Sequence, residues 1–273
     1  MAAQTRRLLV ATDLDATLLD HQTYSYEAAL PALKQLKTLA CPVIFNSSKT
    51  EAEQIRLRTE IGLQAPFIVE NGAAVVIPAG QLGRTAAETQ VFGPSYDALT
   101  TQVAKIRQTG GYRFRGFTDM SIADVAELTG LSEAAAAAAK QRRGSEPLYW
   151  EDTEPAFEAF RAAVAQLGLQ TTQGGRFRHV MAQADKGTAL DWLVQQYRQH
   201  YPNIDWCVVA LGDSPNDLPM LQTADIGVHV PNPHRQPFEL TAIKRLVVAP
   251  APGPSGWAAA IAEILSAERF IQD

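Results

Sequence analysis

Two carboxylates, Asp13 and Asp15, stand at the end of a short apolar run over residues 8–11, and Thr17 lies just beyond them. Carboxylates have no place in an apolar core unless they are paired or bound to metal. At the carboxyl end of a parallel strand, however, they face the crevice in which open α/β sheets bind ligands. There one carboxylate can attack an electrophile, the other can exchange protons, and both can help hold a hard cation. The plainer reading is an acidic turn that caps the next segment, and Asp-x-Asp-x-Thr alone does not decide between the two.

Three further clusters weigh on that choice. Ser47 and Ser48 follow a second apolar run, residues 42–45, just before a helical segment that starts at Glu51. One serine is expected to cap that helix and the other to offer its hydroxyl and nearby amides to a phosphate. Lys186 opens another helical segment, residues 187–201. Asp213 and Asp217 belong to the turn Gly212-Asp213-Ser214-Pro215-Asn216-Asp217, which closes the apolar run 206–211. Each residue has an ordinary alternative: Lys186 as an exposed lysine, Asp213 as a helix cap. Four clusters in this order, all at strand ends or helix starts, point instead to metal-assisted phosphoryl transfer. Acids would hold the cation while the lysine and hydroxyl orient phosphoryl oxygens.

The elements that must position these groups follow a βαβ rhythm at both ends of the chain. Apolar strand patterns occur at 8–11, 42–45, 66–69, 206–211, 225–230 and 246–249. Residues 24–40 carry a helical stripe through Ala28, Leu30, Leu33, Leu36 and Leu39, with Pro31 marking a first turn or a kink. Residues 73–77 are expected to pair back on 66–69 through Asn71-Gly72. Between about 84 and 185 the rhythm is lost. Helices are expected at 95–108, 121–128, 132–143 and 154–167, with strands at 112–117, 148–151, 169–172 and 176–181 and a hairpin turn at Gln173-Gly174-Gly175. The reading is an α/β, Rossmann-like parallel-sheet core domain, residues 1–83 and 186–273, interrupted by an α+β cap domain, residues 84–185.

Bulk properties narrow the class. The chain has 273 residues, a 46% hydrophobic share and a formal net charge of −5. The charge argues against a general nucleic-acid or anionic-membrane surface, and no apolar run is long enough to span a bilayer. The basic N-terminus leads into an apolar stretch too short for a signal peptide, so a cytoplasmic protein is expected. Cys41 and Cys207 sit in or beside apolar strand patterns and are expected to be buried free thiols. The histidines show no zinc spacing, and His179, in a strand pattern, reads as structural.

The order of these motifs resembles the haloacid dehalogenase superfamily of phosphohydrolases. Asp13-Leu14-Asp15-Ala16-Thr17 matches its first motif, Ser47 the second, Lys186 the third and the 212–217 turn the fourth, with an insertion similar to a type IIB cap. Ala16 departs from the more usual glycine, and its small side chain is expected to be tolerated. Residues 45–50, Glu70-Asn71-Gly72, 117–121, 126–131 and 142–147 resemble the mannosyl-3-phosphoglycerate phosphatase branch.

The resemblance implies that Asp13 is the nucleophile, Asp15 the acid and base, and Ser47 and Lys186 the holders of phosphoryl oxygens. It implies Mg2+ on Asp13, Asp15 (through its backbone carbonyl) and Asp213, with Asp217 in or behind that set. Ser48, Lys49, Glu70, Asn71, Gly72, Arg143 and Asn216 are implied to bind substrate. A phosphoglycerate also carries a carboxylate, for which Arg142, Arg143, Arg176 and Arg178 are candidates and Arg143 the first choice. The expected partner is a small phosphorylated sugar or glycosyl-phosphoglycerate, with no nucleic acid and no membrane. Rival readings are a phosphatase of sucrose phosphate or a hexose phosphate, a phosphomutase, and a non-catalytic phosphate-sensing module.

Overall fold

The computed structural model describes residues 5–174 and 176–267. Its centre is a five-stranded parallel sheet. The apolar patterns become β1 (Thr5–Thr12), β2 (Val43–Phe45) and, at the far end of the chain, three more strands; α1 (Leu30–Thr38) links the first two. The helix is shorter than the stripe suggested. A 3-10 turn occupies Glu27–Ala29 and Pro31 lies in the first turn of α1, where a missing N–H costs nothing. The next helix, α2 (Glu51–Ile61), is capped by Thr50, whose hydroxyl accepts the Glu53 N–H while Glu53 returns a bond to the Thr50 N–H. Neither Ser47 nor Ser48 caps it, contrary to expectation, because this reciprocal box satisfies two helix-end donors at once.

Next in the chain, β3 (Phe67–Val69), β4 (Ala74–Ile77) and β5 (Glu88–Val91) form an antiparallel sheet, joined to β2 by the Asn46–Ile68 bridge. The strand β5 had no apolar signature, and the expected domain junction fell just before it.

A four-stranded antiparallel sheet then appears within the inserted region. Its helices and strands are α3 (Tyr96–Gly110), β6 (Phe114–Gly116), α4 (Ile122–Thr129), α5 (Glu133–Ala139), β7 (Ser145–Trp150), α6 (Glu154–Ala165), β8 (Leu169–Gly174) and β9 (Phe177–Ala182). The sheet order is β6-β7-β9-β8. Leu99 and Val103 of α3 and Phe160 and Val164 of α6 pack with Leu148 and Val180 of the sheet. A smaller cluster joins Val125 of α4 and Ala136 and Ala139 of α5 to Phe117 and Met120. The helix α5 stops at Ala139, short of the expected 143, so Arg142 and Arg143 lie in the loop before β7. Of the expected hairpin turn, Gly175 lies outside the described residues.

The parallel rhythm resumes with α7 (Lys186–His200), β10 (Ile204–Gly212), α8 (Leu218–Thr223), β11 (Ile226–His229), β12 (Leu246–Val248) and α9 (Gly253–Ala267). The parallel sheet runs β12-β11-β10-β1-β2. Alternation along β1 divides the core in two. Leu8 and Val10 cluster with Leu36 of α1 and Trp257 and Ile261 of α9, whereas Leu9 and Ala11 cluster with Leu190 and Leu193 of α7 and Met220 of α8. Burial of each such leucine contributes about 1.5–3 kcal/mol. Strand order reverses at the β1–β10 pair, which places the ligand crevice of an open sheet at their carboxyl ends. Cys41 and Cys207 are buried and outside any disulfide, as expected.

Candidate active site

Asp13 follows the last residue of β1 and Asp213 the last of β10, so adjacent parallel strands deliver two carboxylates to the same crevice. The Asp13 N–H donates to Leu211 O (2.9 Å), and the buried Trp257 donates through Nε1 to Thr12 Oγ1 (3.0 Å), fixing the strand end beneath the acid. Lys186, at the first turn of α7, is buried; its Nζ donates to Asp13 Oδ1 and Asp217 Oδ1, both at 2.6 Å. Asn46, at the end of β2, donates to Lys186 O (2.9 Å) and ties that helix start to the sheet.

The charge balance is uneven. Ligand oxygens of the buried Asp13, Asp213 and Asp217 lie within 4.8 Å of one another, and Lys186 is the ammonium among them. Burial pushes the Asp13 carboxyl up to about 8; Lys186 pulls it down, while Asp217, Asp213 and Asp15 add repulsion. Asp213 is raised too, by burial and by Asp217. Burial opposes the Lys186 charge, but Asp13 and Asp217 outweigh it and hold the ammonium above its ordinary value. A hard divalent cation takes oxygen ligands and would relieve this surplus, so the donor set fits Mg2+.

Asp217 has a different task from the other two acids. Its Oδ1 is held by Lys186, and its Oδ2 accepts from the Asp213 N–H (3.0 Å), the Ser214 N–H (3.0 Å) and the Ser214 hydroxyl (2.9 Å). It therefore shapes the turn and anchors Lys186. Asp213 is in turn oriented by Thr17 (3.2 Å) and Asn232 (2.6 Å), with Arg235 Nε 3.5 Å away. Sequence reasoning did not name Asn232 or Arg235, which lie in an irregular segment after β11 that carries no motif.

A cavity of about 280 Å³ opens over these acids and has walls from both parts of the molecule. Asp13, Asp15, Ser48, Lys49, Asn71, Asp213 and Asn216 line it from the parallel-sheet side; Phe117, Leu131, Arg142, Phe177 and His179 line it from the inserted unit. Asp15 Oδ2 pairs with Lys49 Nζ (3.1 Å), while its Oδ1 is buried and unpartnered among the described residues. Burial opposes the Lys49 charge, yet Asp15 and Glu53 keep that ammonium above its ordinary value. Ser47 is buried; Ser48 and Lys49 beside it form the wall. Asn216 donates to Asn71 Oδ1 (3.1 Å), linking two expected substrate-binding residues.

Three expected binders are placed otherwise. Glu70 is fully buried and its carboxylate is occupied by the loop before β7; it does not reach the cavity wall. Gly72 (φ 94°) abuts the Asp185–Lys186 backbone, where a Cβ would lie 2.1 Å from Asp185 O; it makes room for Lys186. Arg143 is about half exposed and donates to Glu51 Oε2 from Nε (2.9 Å) and Nη2 (2.5 Å), away from the cavity lining. Its neighbour Arg142 takes the cavity wall instead. The Arg142 side chain is 3% exposed and donates to Ser145 O (2.8 Å), Ser145 Oγ (2.8 Å) and Ala139 O (3.2 Å). His179, expected to be structural, also lines the cavity; burial first, and then Arg142, pushes its imidazole down to about 3, so it is neutral.

Parallel strand ends, paired aspartates, a buried lysine and an inserted α+β unit together define a phosphohydrolase-type α/β enzyme. Residues 10–90 and 149–240 match the haloacid dehalogenase-like hydrolase family. The chain belongs to this family, and with it to the phosphoric monoester hydrolases. It is 37% identical over 265 residues to the glucosyl-3-phosphoglycerate/mannosyl-3-phosphoglycerate phosphatase of Methanococcoides burtonii, covering 94% of this chain and 97% of that one. The enzyme of the same name from Persephonella marina is 34% identical over 267 residues, covering 95% and 97%. Among solved structures, a subclass IIB sugar phosphatase of the superfamily superposes with a TM-score of 0.64 at 14% identity, over 97% of this chain and all (100%) of that one. No described helix is long and apolar enough to cross a membrane.

Proposed function

We propose that this enzyme hydrolyses a glycosyl-3-phosphoglycerate, foremost the mannosyl form, by way of an aspartyl phosphate on Asp13. The observation that carries this reading is the placement of Asp13 and Asp15 on one cavity floor, with Lys186 bonded to the first and Lys49 to the second. An Asp13 carboxylate oxygen attacks phosphorus as the P–O bond to the glycerate breaks, and Asp15 gives its proton to the departing alkoxide. Asp15 then takes a proton from water, whose oxygen attacks the aspartyl phosphate and frees Asp13 and inorganic phosphate. The unpartnered Asp15 Oδ1 is the atom free to carry that proton. Lys186 and Ser47 hold phosphoryl oxygens. Mg2+, held by Asp13, the Asp15 backbone carbonyl and Asp213, would neutralise phosphoryl charge.

The leaving group determines the rest of the reading. Its carboxylate needs a cation on the cap wall, and Arg142 lines the cavity where Arg143 does not. The residues 84–185 act as the lid that surrounds the sugar and glycerate. A phosphate-release assay over glucosyl- and mannosyl-3-phosphoglycerate, sucrose phosphate, hexose phosphates and para-nitrophenyl phosphate tests the proposal. A higher kcat/KM for mannosyl-3-phosphoglycerate is expected; preference for a plain hexose phosphate would overturn the substrate and leave the Asp13 chemistry standing.

A further inference from the structure

Glu70, Asn71 and Gly72 form three successive left-handed residues, at φ 54°, 58° and 94°. Only the last is a glycine, so the backbone holds Glu70 in a conformation that a residue with a Cβ adopts only when its surroundings compel it. Those surroundings are unusual. Glu70 is fully buried, and its two oxygens accept from the N–H groups of Arg143 (2.7 Å), Gly144 (3.3 Å) and Ser145 (3.0 Å) and from the Ser145 hydroxyl (2.8 Å). Arg142 Nε stands 3.5 Å away and supplies the balancing charge. One carboxylate from the turn between β3 and β4 thus gathers the whole loop that carries Arg142 to the cavity.

The same turn reaches in the opposite direction. The Asn71 N–H donates to Ser47 O (2.9 Å), and Asn71 Oδ1 accepts from Asn216 (3.1 Å). Gly72 packs against the peptide that opens the Lys186 helix. Ser47, Lys186 and Asn216 therefore share with the cap loop a single three-residue support.

We propose that Glu70 is a positioning residue for catalysis: its carboxylate seats the cap loop, and with it Arg142, at a fixed place over the phosphate-binding groups. It does not touch substrate. Its negative charge meets three convergent backbone donors, and a carboxamide in its place would turn an N–H toward N–H groups. The proposal rests on the reading above only in assuming a substrate whose leaving group fills the cap side of the cavity.

The test is Glu70→Gln, with Ser145→Ala as a milder variant in case the first does not fold. Hydrogen exchange at the amides of residues 143–145 reports the latch directly; kcat/KM for the best sugar phosphate of the wild type, divided by that for para-nitrophenyl phosphate, reports its consequence. We expect exchange in Glu70→Gln to rise at least tenfold and the ratio to fall about tenfold, chiefly through KM, with a smaller fall in Ser145→Ala. A ratio unchanged in the folded variants, even with a lower melting temperature, would mean that Glu70 is only structural and would overturn the proposal. The same ratio judges Glu70 whichever sugar phosphate the wild type prefers, so failure of the substrate assignment is distinguishable.

Discussion

The floor and the roof of the cavity are built on opposite plans. On the floor, Asp13 and Asp213 project from the ends of adjacent parallel strands, and main-chain pairing over Thr5–Thr12 and Ile204–Leu211 sets their separation. On the roof, Arg142 hangs from a loop whose position depends on a carboxylate 72 residues earlier in the chain, counting back to Glu70. In the proposed reading, sheet geometry sets where the chemistry occurs, and side-chain bonds set which leaving group can sit above it. Changes to the floor should therefore abolish the reaction, and changes to the roof should redistribute it among substrates.

The strongest test of that contrast is Asp13→Asn. It should reduce turnover of every phosphate ester by at least about a thousandfold with the fold intact by circular dichroism; most activity retained in a folded variant would remove Asp13 from the nucleophile's place. Chelation belongs to the same test: EDTA should stop turnover and added Mg2+ restore it, and full activity in chelator would exclude an ion from the floor.

Next in size is the pair of adjacent arginines. A buried charge-assisted contact is worth roughly 1.5–3 kcal/mol, so Arg142→Ala should lower kcat/KM for the phosphoglycerate about ten- to a hundredfold, and para-nitrophenyl phosphate turnover far less. Arg143→Ala, which loses a surface pair with Glu51, should stay within about threefold of wild type on both, since exposed pairs contribute under about 1 kcal/mol. Equal losses from the two variants would erase the distinction between them.

A smaller effect concerns His179. Its folded value lies near 3 and its ordinary value is 6.5. Between these the unfolded chain binds the extra proton, so stability is full above pH 6.5 and falls as the pH drops toward 3. At pH 5 the loss is about 2 kcal/mol. Because the raised Asp13 carboxyl shifts stability the opposite way over the same window, the loss is read as a difference: from pH 7 to pH 5, urea unfolding should cost the wild type about 2 kcal/mol more than it costs His179→Gln, and an equal change in the two would mean that the roof imidazole titrates normally.

The smallest effect is expected at Ala16, whose φ of 62° lies in the left-handed region. Ala16→Gly relieves roughly 1–2 kcal/mol of backbone strain and gives back about 0.4–1 kcal/mol through the freer unfolded chain. A rise in melting temperature of a few degrees, without a change in kcat, is expected. A fall would mean that the Ala16 methyl group packs usefully.

The same division explains what was legible beforehand. Asp13, Asp15 and Asp213 could be placed because an acid at or just beyond the end of an apolar strand has few destinations, and Lys186 because it opens a helix facing them. The cap of α2 was equally legible in Thr50-x-x-Glu53, a capping-box pattern that sits closer to the helix than Ser47 or Ser48. The strand β5 was hidden because Glu88–Val91 lies at a sheet edge with no alternating apolar face. Nothing local distinguishes Arg142 from Arg143. Which one turns inward depends on α5 ending at Ala139 and on Glu70 meeting the loop from another sheet.

The pairing of β1 with β10 also bears on how the protein is made. Thr5 lies beside Ile204 and Thr12 beside Leu211, so β1 waits for one of its two partners roughly two hundred residues downstream. Contacts of such sequence separation form slowly. A chain emerging from the ribosome exposes residues 84–185 before β10 exists, and that unit has its own sheet and two clusters of buried side chains. During synthesis this inserted unit can fold ahead of the parallel sheet, while the apolar edge of β1 stays open until β10 arrives.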